Sequence, residues 1–242
     1  MSSTERKILN LVKQANPSNP LAYVRDIVKD YSRGRLDQYI LQCQDCELCA
    51  GPKSLTKGNT NADVMIIGES VSEVQAQRGT DIVYPLEGTK GNEMLQKVLE
   101  HYSVNPDEIF YMNVVNCFPH KEMDGEILPR TPSKKEVDSC KTFVHYAIDV
   151  IRPSLIILLG SVALNVFKQE AISKARGQWI EVRGIRAMPT YHPEYFVQIE
   201  GKKHPDIIDE LKIDFQEDLH HAFLDFQERF PDNNVLLSKL EE

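Results

Sequence analysis

Five cysteines are the first residues whose types and spacing could do chemistry. Cys43, Cys46 and Cys49 follow one another with two residues between each pair, and Cys117 and Cys140 stand alone farther along. Two thiolates three residues apart converge after a tight turn and can clasp one face of a metal ion or cluster. Cys117 and Cys140 have no near partner, and by spacing alone they read as buried cysteines behaving as small hydrophobes. Zinc held by four cysteines is the next metal reading, although structural zinc sites usually draw on two closely spaced pairs.

The chain has 242 residues, enough for one domain or two small ones with a core that needs no staples. Hydrophobic residues make up 41% and charged residues 26%, which excludes a membrane or largely disordered composition. The longest apolar run, Leu155 to Leu159, stops at Gly160, far short of the ~20 residues that span a bilayer. The first residues lack the apolar stretch of a secretory signal, so an intracellular, reducing compartment is expected. The cysteines are then thiols or metal ligands rather than disulfides. A net charge of −8 argues against a phosphate-rich partner. That charge is concentrated in residues 204–242, where eleven acidic residues face Lys212, Arg229 and Lys239; the rest of the chain is neutral. Lys174, Arg176, Arg183, Arg186, Lys202 and Lys203 make residues 171–203 locally basic, which allows a basic face.

Residues 4–15 and 20–42 read as two polar amphipathic helices broken by Asn16-Pro17-Ser18-Asn19-Pro20, an extension packed on a core. Val64-Met65-Ile66-Ile67, ending in Gly68-Glu69-Ser70, reads as a buried strand feeding a loop. A helix is predicted over 91–102, a strand over 109–115, a helix over 134–151, a second buried strand over 155–159 and a helix over 161–167. Edge strands are expected at 179–182 and 185–189 around an Arg183-Gly184 turn, then a last helix over about 206–230. This alternation predicts an α/β sandwich with a mostly parallel sheet. Ligands of such sheets bind beyond the carboxyl ends of the strands, here at Gly68-Glu69-Ser70, Asn113 to Cys117 and Thr190-Tyr191-His192-Pro193.

Seven short motifs occur in order: Cys43-x2-Cys46-x-Leu48, Val64-Met65-Ile66-Ile67-Gly68-Glu69, Asn113-Val114-Val115-Asn116-Cys117-Phe118-Pro119, Cys140, Leu158-Leu159-Gly160, Arg176-Gly177-Gln178-Trp179 and His192-Pro193-Glu194-Tyr195. Together they resemble the iron-sulfur uracil-DNA glycosylases, often called family four, over about residues 43–225. The resemblance implies a three-layer α/β/α sandwich with a central, mostly parallel four-stranded sheet. It implies a glycosylase domain over 43–230, a helical extension over 1–42 and a tail over 231–242. It implies a structural 4Fe-4S cluster on Cys43, Cys46, Cys117 and Cys140, with Cys49 spare. The partner would be DNA carrying a flipped nucleotide, with the protein acting as a monomer and away from any membrane. By motif position His192 is the donor to the leaving base, Asn113 the base reader, and Glu69 with Ser70 the opening of the pocket. Pro193, Tyr195, Lys202 and Lys203 would meet DNA.

The chain departs from the family's pattern at three places. Where the family continues Gly-Glu-x-Pro-Gly, this chain has Gly68-Glu69-Ser70-Val71-Ser72-Glu73-Val74-Gln75. The family's water-positioning carboxylate falls at about Gln75, which orients water but is a poor base, leaving Glu73 or Glu69 as substitutes. The family's stacking Phe is Leu86, and the Arg after His-Pro-x-Tyr is Gln198, with Lys202 and Lys203 close enough to replace it. The reading is a DNA glycosylase removing uracil or a related altered pyrimidine. Leu86, Ser72 and the insertion from His120 to Thr131 motivate a second reading, a glycosylase for bulky modified bases used against foreign DNA. A third is a catalytically silent DNA-binding or protein-binding relative.

Overall fold

The apolar runs 64–67 and 155–159 have no polar face to turn to water, so they are buried on both sides as neighbouring parallel strands. In the computed structural model, residues 19–232 are described, with Arg6, Lys7, Asn10 and Leu11 besides. Along them run α1 (Pro20–Gln42), β1 (Lys53–Ser54), β2 (Lys57–Gly58), β3 (Val64–Ser70), α2 (Glu73–Ala76), β4 (Ile82–Val83), α3 (Lys90–His101) and β5 (Ile109–Val115). Then come β6 (His120–Met123), β7 (Glu126–Pro129), α4 (Lys134–Ile151), β8 (Leu155–Leu159), α5 (Gly160–Phe167), α6 (Ile172–Ala175), β9 (Ile180–Val182), β10 (Ile185–Thr190), α7 (Pro193–Ile199) and α8 (Pro205–Arg229).

The main sheet has the order β2-β5-β3-β8-β10-β9. Its parallel core is the expected four strands, β5, β3, β8 and β10, and antiparallel β2 and β9 extend it to six. Side chains alternate between two cores, as the two-residue period of a strand requires. Met65, Ile67, Phe110, Met112, Ile156 and Leu158 face Leu36 and Ile40 of α1 and Val144 and Ile148 of α4. Val64, Ile66, Ile109, Ile157 and Leu159 face Leu95 and Leu99 of α3, Phe196 of α7 and Phe215, Leu219 and Phe226 of α8. Three layers result.

Helix α1 is held by polar ties as well as by Leu36 and Ile40. Lys29 Nζ donates to the Ile151 carbonyl at 2.8 Å, Arg33 to the Thr56 carbonyl at 3.0 Å, and Asp37 accepts from the Thr56 amide at 3.0 Å. Most of the helix expected over 4–15 lies outside the described residues; Arg6, Lys7, Asn10 and Leu11 are helical. Several features had no sequence reading. The insertion at 120–131 is a hairpin, β6 with β7, turning at Asp124 and Gly125, whose φ values are 53° and 83°. Its strands, four residues each, carry no apolar alternation to betray them. Helix α7 begins with Pro193, and β1 pairs with β4 over two residues only. Among the described residues, no helix is long and apolar enough to cross a membrane.

Candidate functional site

The carboxyl ends of β3, β5 and β10 meet at Gly68. A Cβ added there would lie 2.6 Å from Asn113 Oδ1 and 3.8 Å from His192 Nε2, so the missing side chain is what lets the amide and the imidazole approach each other. Gly160, at φ +85°, does the same behind His192, where a Cβ would come within 3.0 Å of the histidine Cβ. Asn113 is buried, and its Nδ2 donates to Ser54 Oγ at 3.1 Å. The backbone amide of Glu194 donates to His192 Nδ1 at 3.2 Å. Nδ1 is therefore an acceptor, and the proton of the neutral ring sits on Nε2, the atom next to Gly68 and Asn113. Burial holds His192 neutral by lowering its pKa to about 4. Glu194 also accepts from the Gly91 amide, tying the loop of His192 to the start of α3.

Glu69 and Ser70 stand at the end of β3 and line a cavity of about 1050 Å³ together with His192, Gly160, Phe118, Tyr191 and Tyr195. Burial without a charged partner raises the Glu69 carboxyl to about 7, so it is poised to take or give a proton near neutrality. Tyr191 and Tyr195 stack with ring centres 6.2 Å apart, and Phe118 stacks on His120 at 5.4 Å.

Two residues expected in the pocket itself, Gln75 and Leu86, lie elsewhere. Gln75 is buried with its amide fully engaged: Nε2 donates to the Tyr84 carbonyl at 2.6 Å and the Glu87 carbonyl at 3.2 Å, and Oε1 accepts from the Ser72 amide at 3.0 Å. It caps α2 and braces the 84–87 loop, with no hydrogen left for a water. Leu86, at φ 59°, points into the core beside α3 and Phe196 and is not part of the cavity wall. The aromatic surface in the cavity comes from Phe118, Tyr191 and Tyr195 instead.

The basic face is largely neutralised. Arg176 forks onto Asp218 at 2.8 and 2.5 Å, Arg183 pairs with Asp149 at 2.7 Å, and Arg186 pairs with Asp225 at 2.8 Å while its guanidinium lies 4.1 Å over Trp179. The acidic α8 thus supplies the counter-charges of Arg176 and Arg186, and Asp218 also accepts from Thr190 at 2.7 Å, bracing the strand end that leads to His192. Lys202 and Lys203 do line the cavity, with Gln198 and Tyr195; Pro193 is buried as the first residue of α7 and lines none of it.

The cysteine region lies at the far side of the end of β5. Cys43 follows α1, Cys46 begins a single 3-10 turn, Cys117 follows β5, and Cys140 sits on the second turn of α4. Cys117 lies within electrostatic reach of Cys43 and Cys46, and Cys140 within reach of all three. Burial pushes the Cys140 thiol up to about 12, partly offset by the backbone amide of Asn116 donating to its sulfur. Lys53 Nζ donates to Cys117 Sγ at 3.3 Å. Among the described residues, no three His, Cys, Asp or Glu side chains converge closely enough to hold one metal ion. Cys43, Cys46, Cys117 and Cys140 offer four soft thiol donors, the donor set on which iron-sulfur clusters draw.

Ser54, Lys53 and Asp218 lie outside the motifs, and Phe118 lies within one that gave it no role. Their roles rest on contacts across 59, 64 and 28 positions of sequence for the first three, which no local spacing encodes.

Residues 55–216 match the family model of the uracil DNA glycosylase superfamily. The type-4 uracil-DNA glycosylase of Thermotoga maritima is 28% identical over 169 residues, 67% of this chain and 82% of that protein. That of Saccharolobus solfataricus is 28% identical over 166 residues, 64% and 72% of the two chains, and that of Pyrobaculum aerophilum 25% over 210 residues, 82% and 96%. The parallel sheet, the cavity at its carboxyl edge and a family match over most of the chain lead to one conclusion: the protein belongs to the uracil DNA glycosylase superfamily.

Proposed function

We propose that the protein is a DNA glycosylase that hydrolyses the N-glycosidic bond of uracil, or of a related altered pyrimidine, after the nucleotide is flipped out of the stack. The observation that carries this reading is the convergence of Asn113 and His192 on Gly68, with the next residue, Glu69, lining the same cavity as His192. In this reaction the base departs as an anion while the sugar gains oxocarbenium character. His192 Nε2–H donates to the base oxygen where negative charge grows, and a neutral imidazole does so without a permanent charge in the pocket. Asn113 reads the edge of the base, accepting with Oδ1 and donating with the second hydrogen of Nδ2. Glu69, ionised, orients the water that attacks the sugar carbon and takes its proton, the role that Gln75 is too engaged to fill. Phe118, with Tyr191 and Tyr195, offers the aromatic wall for the base, and Lys202 and Lys203 meet phosphates at the mouth.

Cys43, Cys46, Cys117 and Cys140 would hold a 4Fe-4S cluster. When bound, it supplies a structural cross-link between the end of α1, the end of β5 and α4, and no redox step. Iron and sulfide near four of each per chain after anaerobic purification are expected; a single zinc per chain would refute this assignment.

The test of the function is base release from matched DNAs carrying uracil or bulkier modified pyrimidines, with His192→Ala as control. Uracil release that vanishes in the variant is the expected result. The cavity volume favours one second reading, because about 1050 Å³ is at the upper end for a ligand pocket. Release from bulky pyrimidines alone would establish that reading, and release from none would leave a silent DNA-binding relative.

A further inference from the structure

Lys53 is 6% exposed and Ser54 is fully buried, which is unusual for a lysine without a carboxylate beside it. Among the described residues the Lys53 ammonium forms no ion pair with a carboxylate; it donates to Cys117 Sγ at 3.3 Å and to the Cys43 carbonyl at 3.4 Å. A buried ammonium needs negative charge next to it, and the sulfur it faces carries that charge when it ligates iron. The next residue grips the same stretch of chain from its other end. The Ser54 amide donates to the Asn116 carbonyl at 2.9 Å, and Ser54 Oγ accepts from Asn113 Nδ2 at 3.1 Å. The pair is itself anchored, since the Lys53 and Leu55 amides donate to the Asp81 and Val83 carbonyls at 2.9 and 3.0 Å.

We propose that Lys53 and Ser54 are positioning residues that couple the four-cysteine site to the base reader: Lys53 pins Cys117, Ser54 holds the Asn113 amide, and the two move as one. The inference rests on the reading of the cysteines as cluster ligands. Its physical content is the orientation of one amide. With Nδ2 held by Ser54, Asn113 presents Oδ1 toward Gly68; a flipped amide would exchange acceptor for donor and fit a cytosine-like edge in place of a uracil-like one. The cluster would then contribute to base selection through β1 while standing apart from the chemistry.

The experiment compares wild type with Ser54→Ala, Lys53→Met, Lys53→Gln and Lys53→Arg, all purified anaerobically. It reads iron and sulfide content, the rate at which visible absorption bleaches in air, melting temperature, and kcat and KM separately on uracil- and cytosine-containing DNA. Ser54→Ala is expected to keep its iron and to lose roughly tenfold in preference for uracil over cytosine. Lys53→Met is expected to bleach several-fold faster and to lose the same preference, with Lys53→Arg restoring both; Lys53→Gln serves where Met prevents folding. Unchanged base preference in Ser54→Ala, or a Lys53→Met or Lys53→Gln protein that holds iron as firmly as wild type, would overturn the coupling. A wild type without iron would instead sink the reading of the cysteines, and with it this inference, in a measurement made on the unsubstituted protein.

Discussion

At the floor of the cavity His192 lines the wall, with Asn113 and Gly68 buried behind it, and Asn113 Nδ2 and His192 Nδ1 are each held by a named partner. At the rim, Lys202 and Lys203 are exposed, and the β6–β7 hairpin turns Met123 and Ile127 to solvent. The difference follows from what each region must do. Hydrogen bonds that act on developing charge fail when misplaced by an ångström, so their donors belong on rigid elements. Phosphate attraction is long-ranged and tolerant of position, so mobile side chains serve it.

The largest expected effect lies at the floor. His192→Ala removes the donor to the leaving base and should lower kcat by about 10²- to 10³-fold with little change in KM, as read by single-turnover base release. A loss confined to KM would move His192 from chemistry to binding. Beneath the floor, Arg176→Met leaves Asp218 buried with Thr190 as its remaining side-chain donor and should cost roughly 3–5 kcal/mol of stability. Chemical denaturation measures this, and a loss below about 1 kcal/mol would show that α8 does not need the pair.

Titration separates the two carboxyl-end groups. Glu69 must ionise to act on water, so kcat/KM should fall as pH drops through about 7, and Glu69→Gln should abolish that limb. The two groups affect stability in opposite senses. The folded Glu69 keeps a proton that the unfolded chain loses above its ordinary 4.5, so its stabilising effect declines as pH rises from there through about 7. His192 takes a proton near 6.5 when unfolded but only near 4 when folded, so its effect is lost as pH falls from 6.5 toward 4. The smallest change is at the rim. Lys202→Ala with Lys203→Ala should raise KM several-fold, reduce the salt dependence of binding by up to about two phosphate equivalents, and leave kcat and melting temperature near wild type. A kcat loss as large as that of His192→Ala would erase the distinction between floor and rim.

The fold was legible where side chains repeat with the period of an element. The strands 109–115 and 155–159 and the helix 134–151 are predicted to the residue, since each is a buried run or an amphipathic stripe with a clear stop. The hairpin at 120–131 escaped because its four-residue strands are too short to show an apolar alternation, and α7 because seven residues give too few turns for a stripe. In the site, Asn113, His192 and Glu69 were found at strand ends, whereas Gln75 and Leu86 were placed by motif position and occupy other surroundings.

The sequence by itself determined the parallel sheet, the order of its strands' apolar runs and the carboxyl edge where ligands bind, because those follow from local periodicity. Tertiary structure alone decided which nitrogen of His192 carries the proton, that Arg176, Arg183 and Arg186 are spent on Asp218, Asp149 and Asp225, and that Lys53 and Ser54 stand between a thiol and an amide. Each of these depends on a contact between residues brought together by folding or on the burial of a charge. Spacing along the chain carries neither.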